Sequence, residues 1–187
     1  MVNINDVKAK KLTLTVIFSA MAISLEILPI DIPFPMFSKL TIDITGVPLL
    51  LALYIIDLPS SIIATVTTGI IIALPRPPFK PSNPYGAFFK TLAELSTIIG
   101  VWMIKKLWKK DNKKFFIYSF LNGSFIRTIV MCIANYIFLP IFYGVPVKIV
   151  ISILPIIALF NIVQTLVNIL LAYLSYKAIK KRLSISI

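Results

Sequence analysis

Three short rows of polar residues stand inside otherwise apolar stretches of this 187-residue chain. Asn161, Gln164 and Asn168 form one row, Lys90, Glu94 and Thr97 a second, and Thr128 with Asn135 a third, with Arg127 beside it. Their spacings of three, four and seven put each row on one face of a helix. The chemistry on offer is recognition: amides, hydroxyls and charged heads can hydrogen-bond a small polar molecule, and Lys90 with Glu94 reads as an i,i+4 ion pair. A polar group is costly in lipid and turns toward a bundle interior. For any single residue two readings stay open, a ligand contact or an interhelical hydrogen bond of about 1 kcal/mol or less. Three rows on three consecutive helices favour a shared pocket.

Catalysis finds little to work with. The chain has no histidine and one cysteine, and its seven carboxylates nominate no acid/base pair. Cys132 falls in mid-span, where it reads as a small packing residue. Gly46 and Gly69 are isolated, so no glycine-rich loop cradles phosphate, and no segment binds nucleotide. We expect no enzyme, no metal and no cofactor. Two other classes remain as alternatives: a small membrane enzyme, which would need a polar cluster at one membrane face, and a structural or assembly protein, in which the rows only pack.

The elements that carry these rows are helices in a bilayer. Hydrophobic residues make up 58% of the chain and charged residues 14%, with a mean hydropathy of +0.94. Soluble domains run at about 45–50% apolar and about 25% charged, so a water-soluble globule is excluded. A bilayer core of about 30 Å needs about 20 helical residues per crossing. Six apolar runs qualify, at 12–30, 44–56, 60–74, 86–104, 115–139 and 149–176. The second and third are short and separated by Asp57, Leu58 and Pro59, as in a tight helical hairpin with Pro59 opening the third helix. The sixth contains Pro155 and reads as one tilted span or as a short approach and a helix. The expectation is an all-α integral membrane protein, one domain over residues 1–187, with its first span retained rather than cleaved.

Charge placement orients the bundle. Thirteen lysines and arginines fall near the N-terminus, in the stretch 105–114 and near the C-terminus; four (Lys39, Arg76, Lys80 and Lys148) fall in the other loops. The positive-inside rule then makes both termini cytoplasmic. It also accounts for most of the net charge of +12 without nucleic acid. The three outer loops, around 30–39, 75–85 and 140–146, mix proline with aromatics, which suits interfacial anchoring or the capping of a flat ligand. Glu26, near the outer end of the first span, has no evident partner in sequence.

Several segments carry a resemblance. Residues 40–48 (LTIDITGVP), 134–144 (ANYIFLPIFYG) and 160–164 (FNIVQ), together with the length, six spans and proline-stiffened first outer loop, resemble the substrate-binding S components of energy-coupling factor (ECF) vitamin transporters, most closely the riboflavin-binding branch. The resemblance implies that Asn135 and Asn161 hydrogen-bond a vitamin. It sets Lys39 beside a first-loop lysine of the family and Gln164 where riboflavin binders usually carry lysine. It also implies capture of a vitamin, with riboflavin expected, in a pocket that Asn168, Lys90 and Glu94 would complete, and partnership with a transmembrane coupling subunit and two ATPases in the cell membrane. Small residues on the first helix would dock that subunit. Ala20 and Ser24 fit, although Ser19 and Ala22 leave the register open. Another vitamin or precursor, thiamine-like or a pyrimidine, is the alternative ligand.

Overall fold

The structure is a computed structural model, and it describes residues 4–28, 31–76, 80–108 and 112–183. Among these are six helices: α1 (Ile4–Ile27), α2 (Gly46–Ile55), α3 (Leu58–Ala73), α4 (Pro84–Leu107), α5 (Lys113–Tyr143) and α6 (Val147–Leu183). Each contains most of one expected span. The long ones run past the apolar stretch at one or both ends, because backbone hydrogen bonding continues into the polar flanks. The first stops at Ile27, ahead of Pro29, and residues 29–30 lie outside the described residues, as do Pro77, Pro78 and Phe79 between α3 and α4 and Lys109 and Lys110. Pro155 does not break α6, which is continuous through it.

The expectation of a purely helical chain needs one correction. The loop between α1 and α2 folds back as an antiparallel hairpin, β1 (Ile32–Phe34) with β2 (Phe37–Ile42). Its ladder is irregular between Pro33 and Phe34. Phe34 is buried and meets Phe160 of α6 edge-on at 5.5 Å. That apolar anchor holds the hairpin over the bundle.

Local signals set the helix ends. The Asp57 carboxylate accepts the Ser60 N–H at 2.9 Å as the cap of α3, with Pro59 in the first turn. Burial alone would raise the Asp57 carboxyl, but the Lys11 ion pair and the Ser60 bonds outweigh it and hold it below the usual value. Asn83 and Asn112 cap α4 and α5 in the same way. Helix α5 ends on Gly144, whose φ of 63° only glycine adopts without strain.

The packing order is a ring: α1 against α3, then α4, α5, α6 and, through α2, back to α1. Helix α2 is apolar all round and eight of its ten residues are buried, as befits a helix enclosed by others. The apolar core gathers at the end of the bundle where α2 lies, from Leu49, Leu50 and Leu53 to Phe115, Ile169 and Tyr173. The outer surface is apolar as well, with Leu12, Ile70, Phe125 and Ile141 more than half exposed, while Thr65, Thr97, Asn161 and Asn168 are buried. Polar inside and apolar outside is the pattern of a chain solvated by lipid. Helices α4, α5 and α6 are each long and apolar enough to cross a membrane.

Helices α4 and α5 touch backbone to backbone. A Cβ added at Gly100 would meet the Gly123 Cα at 2.7 Å, and the Asn122 amide donates to the Gly100 carbonyl at 2.8 Å. Small residues at such a crossing allow the close approach that holds helices together in lipid. We expect Gly100→Val to force the pair apart and cost about 1–3 kcal/mol, read as a lower melting temperature in detergent. An unchanged melting temperature would show that this contact does not matter.

Candidate functional site

A cavity of about 740 Å³ opens at the end of the bundle that α2 does not reach. Its position follows from the helix lengths. Ten residues make α2 about 15 Å long, half of a bilayer core, so Gly46 begins the helix partway down. The hairpin and the α3–α4 link cover the remaining depth. Phe37, Lys39, Leu40 and Thr41 of β2, with Arg76 and Lys80 of the link, form part of the wall.

Two groups of charge frame the cavity, a partly buried one at the mouth and a buried one below it. Near the mouth, Glu26 of α1 accepts the Arg76 guanidinium at 2.6 Å and pairs directly with Lys90. Lys90 also meets Asp43 at 3.0 Å, and Lys80 bridges Glu26 at 3.7 Å to Asp31 at 2.7 Å. Backbone bonds between Arg76 and Lys80 fix the spacing of that link. Deeper in, Arg127 of α5 donates to Glu94 at 2.9 Å, to Thr97 at 3.1 Å and to Asn161 at 2.9 Å. Removing one partner of such a buried pair costs about 3–5 kcal/mol, since the other charge is left uncompensated.

An amide chain supports the floor. Asn168 donates to Glu94 at 3.3 Å, and Gln164 donates to Asn168 at 3.2 Å. Gln164 also grips the backbone of Asp43, donating to its carbonyl at 2.7 Å and accepting its N–H at 3.3 Å. This side-chain amide ties the foot of the hairpin to α6. Gly46 lies against the same network: a Cβ there would sit 2.1 Å from the Asn168 amide and 2.4 Å from Glu94. A side chain at position 46 would push the floor out of place.

The seven candidate residues separate as follows. Lys39, Lys90, Glu94, Asn135, Asn161 and Gln164 all line the cavity, and Asn168 lies behind it. Lys39 is exposed, and Asn135, which donates to the Met131 carbonyl at 2.7 Å, keeps its Oδ1 as an acceptor on the cavity lining. The expected Lys90–Glu94 pair does not form. Although one turn apart, each side chain has its partner on another element, Lys90 in Glu26 of α1 and Asp43 before α2, Glu94 in Arg127 of α5. The face of α5 that lines the cavity is Arg127, Met131 and Asn135 rather than that of Thr128. Glu26, partnerless in sequence, is the most heavily paired carboxylate of the mouth. Sequence reasoning left Glu26 unassigned because no partner for it is visible in sequence, and did not nominate Asp31, Asp43, Arg76 or Lys80, which lie in loops, where charge needs no explanation.

Aromatic rings close the side of the mouth between α4 and α5. Tyr85 stacks on Phe142 at 4.6 Å, and Phe88 meets Phe138 edge-on at 4.9 Å. Phe89 and Phe160 add flat apolar wall inside. No group of ligands suited to a metal ion occurs among the described residues.

Comparison with known proteins agrees with this architecture. The family model for "ECF transporter, substrate-specific component" matches residues 10–176. A solved structure described as "Structure and mechanism of the S component of a bacterial ECF transporter" is 30% identical, with a TM-score of 0.78 over 94% of this chain and 98% of that one. A comparison with curated proteins finds no match. With a family match over most of its length and the same fold as a solved member, the chain belongs to the substrate-specific S components of ECF transporters, membrane subunits that serve transport and are not enzymes.

Proposed function

We propose that this S component binds riboflavin in the 740 Å³ cavity and presents it for uptake. The observation that carries the reading is the convergence of Asn135, Asn161 and the Glu94–Arg127 pair on one cavity with aromatic walls. A flat ring system with a hydrogen-bonding edge suits that combination, and the ring's polyhydroxyl chain suits the polar mouth. A purely structural role for the polar rows leaves the open cavity unaccounted for. Mass spectrometry of the purified protein tests the assignment directly. Recovery of a different bound vitamin would reject riboflavin while keeping the site.

Single substitutions separate the two asparagines. Asn135→Ala is expected to weaken riboflavin binding by about 1–3 kcal/mol with little change in melting temperature. Asn161→Ala is expected to weaken binding and also to lower the melting temperature, because Arg127 Nε loses its acceptor. Titration of both variants with riboflavin checks this, and binding as tight as in the parent for both would move the ligand elsewhere.

The chain, in this reading, crosses the membrane six times with both termini cytoplasmic. The lysine-rich stretches support it: they lie at the end of the bundle opposite the cavity, where Lys105 caps the C-terminus of α2 through the Leu53 carbonyl at 2.6 Å. In a Cys132→Ser background, a cysteine introduced at Asn112 should label only from the cytoplasmic side and one at Ser82 only from outside. Outside labelling of Asn112→Cys would invert the topology.

Import then requires a transmembrane coupling subunit and two ATPases, since no segment here binds nucleotide. On α1, Ala20 and Ser24 are exposed while Ser19 and Ala22 are buried, which supports the first pair as the docking register. Ala20→Trp or Ser24→Trp should leave riboflavin binding intact and reduce uptake in cells, because a bulky side chain blocks close helix approach. Unchanged uptake would place docking on another face.

A further inference from the structure

Eight of the nine charged residues that line the cavity close into two groups with no net charge. The mouth group holds three carboxylates, Glu26, Asp31 and Asp43, and three cations, Arg76, Lys80 and Lys90, joined by the contacts given above. The floor group is Glu94 with Arg127. Lys39 is the ninth charged lining residue. It is exposed on the hairpin and forms no ion pair among the described residues.

From this balance we infer that the substrate class is an uncharged planar heterocycle, and that formally charged vitamins and phosphorylated forms are rejected. The inference rests on the cavity being the binding site and deepens that reading. A charge carried into a low-dielectric cavity is costly unless a counter-charge meets it. Each interior counter-charge here is already committed to a partner on another element. Among the mouth cations Arg76 Nε is a buried donor without a partner, but an anionic group that took it, or that drew Arg127 from Glu94, would leave its group with an uncompensated negative charge in a low-dielectric site. A cationic group would face the converse. An uncharged ligand needs only the hydrogen-bonding capacity that remains, such as Asn135 Oδ1, and leaves both groups intact. Lys39, in water at the rim, contributes a weak and screened attraction that does not offset an interior charge.

The same balance makes selectivity adjustable by one residue. Lys80 bridges Glu26 and Asp31, so Lys80→Gln gives the mouth group a net charge of −1 and opens a place for a cation.

The test is a titration of purified full-length protein with four probes: riboflavin and the free hydroxymethylpyrimidine of thiamine, both uncharged, thiamine itself, a cation, and riboflavin monophosphate, an anion. We expect the tighter uncharged probe to bind at least about tenfold more strongly than either charged one, and Lys80→Gln to raise thiamine affinity about tenfold. Tight binding of the pyrimidine without riboflavin rejects riboflavin as the ligand but supports the charge rule. A charged probe that binds as well as both uncharged ones, or no binding by either uncharged probe, overturns the rule. So does an unchanged thiamine affinity in a Lys80→Gln variant that elutes and melts like the parent. If that variant does not fold, the parent series decides by itself.

Discussion

A central helix less than half as long as α4, α5 or α6 shapes this molecule. Helix α2 spans ten residues where α4, α5 and α6 span 24, 31 and 37. Where α2 is present, the helices around it share a continuous apolar core. Where it is absent, the same helices face one another across a gap that no apolar side chain fills. The chain before α2 cannot be helical there without filling that gap, so it descends as a hairpin strand whose last residues reach Gln164. Cavity, hairpin and buried α2 are consequences of one length. Ser61, whose hydroxyl donates to the Leu49 carbonyl at 2.7 Å, and Lys105, at the other end of α2, fix that short helix in depth.

The gap determines where charge can reside. Glu26, Lys90, Glu94 and Arg127 come from three different helices, and none could face lipid without large cost. Turned inward, each finds its partner on a different element, so the ion pairs cross the cavity walls instead of running along a helix. Such pairs contribute little to stability when complete and cost much when broken. Their worth here lies in fixing orientation: the guanidinium of Arg127 is held by Glu94, Thr97 and Asn161 together, and the ammonium of Lys90 by Glu26, Asp43 and Thr45. A site held from several directions is organised before any ligand arrives.

The sequence disclosed the helices because a bilayer imposes length and composition that pattern reading detects directly. It disclosed Asn135, Asn161, Gln164 and Glu94 because a polar group inside an apolar run stands out. It hid the pairing, since Lys90 and Glu94 one turn apart resemble a local ion pair, and only the fold shows that Glu26, 64 residues away from Lys90, lies closer. Gln164 was legible as a polar lining residue but not as the tie between hairpin and α6, because that bond is to the backbone of Asp43, 121 residues distant. The hairpin was hidden for a related reason: with Pro33 and Pro35 in so short a stretch, strand signals are weak, and a single buried ring, Phe34 on Phe160, holds it in place.

Lipid gives helices no hydrophobic reason to associate, so close packing and polar contacts must hold the bundle together. At the α2 end, packing suffices: leucines interlock and Gly100 lies on Gly123. At the cavity end little packing is available, and the polar groups that would meet a ligand are the same groups that join α1, α4, α5, α6 and the hairpin. Stability and recognition therefore depend on one set of side chains there. This dependence restricts how the site can change. Altering one charge of the cross-helix pairs alone to admit a different ligand would also loosen the contacts between helices, whereas Lys80, on the α3–α4 link, and Asn135, bonded only within its own helix, can be changed with far less structural consequence. The cavity thus has a fixed electrostatic frame, held by cross-helix pairs, and a smaller adaptable part at Lys80 and on α5.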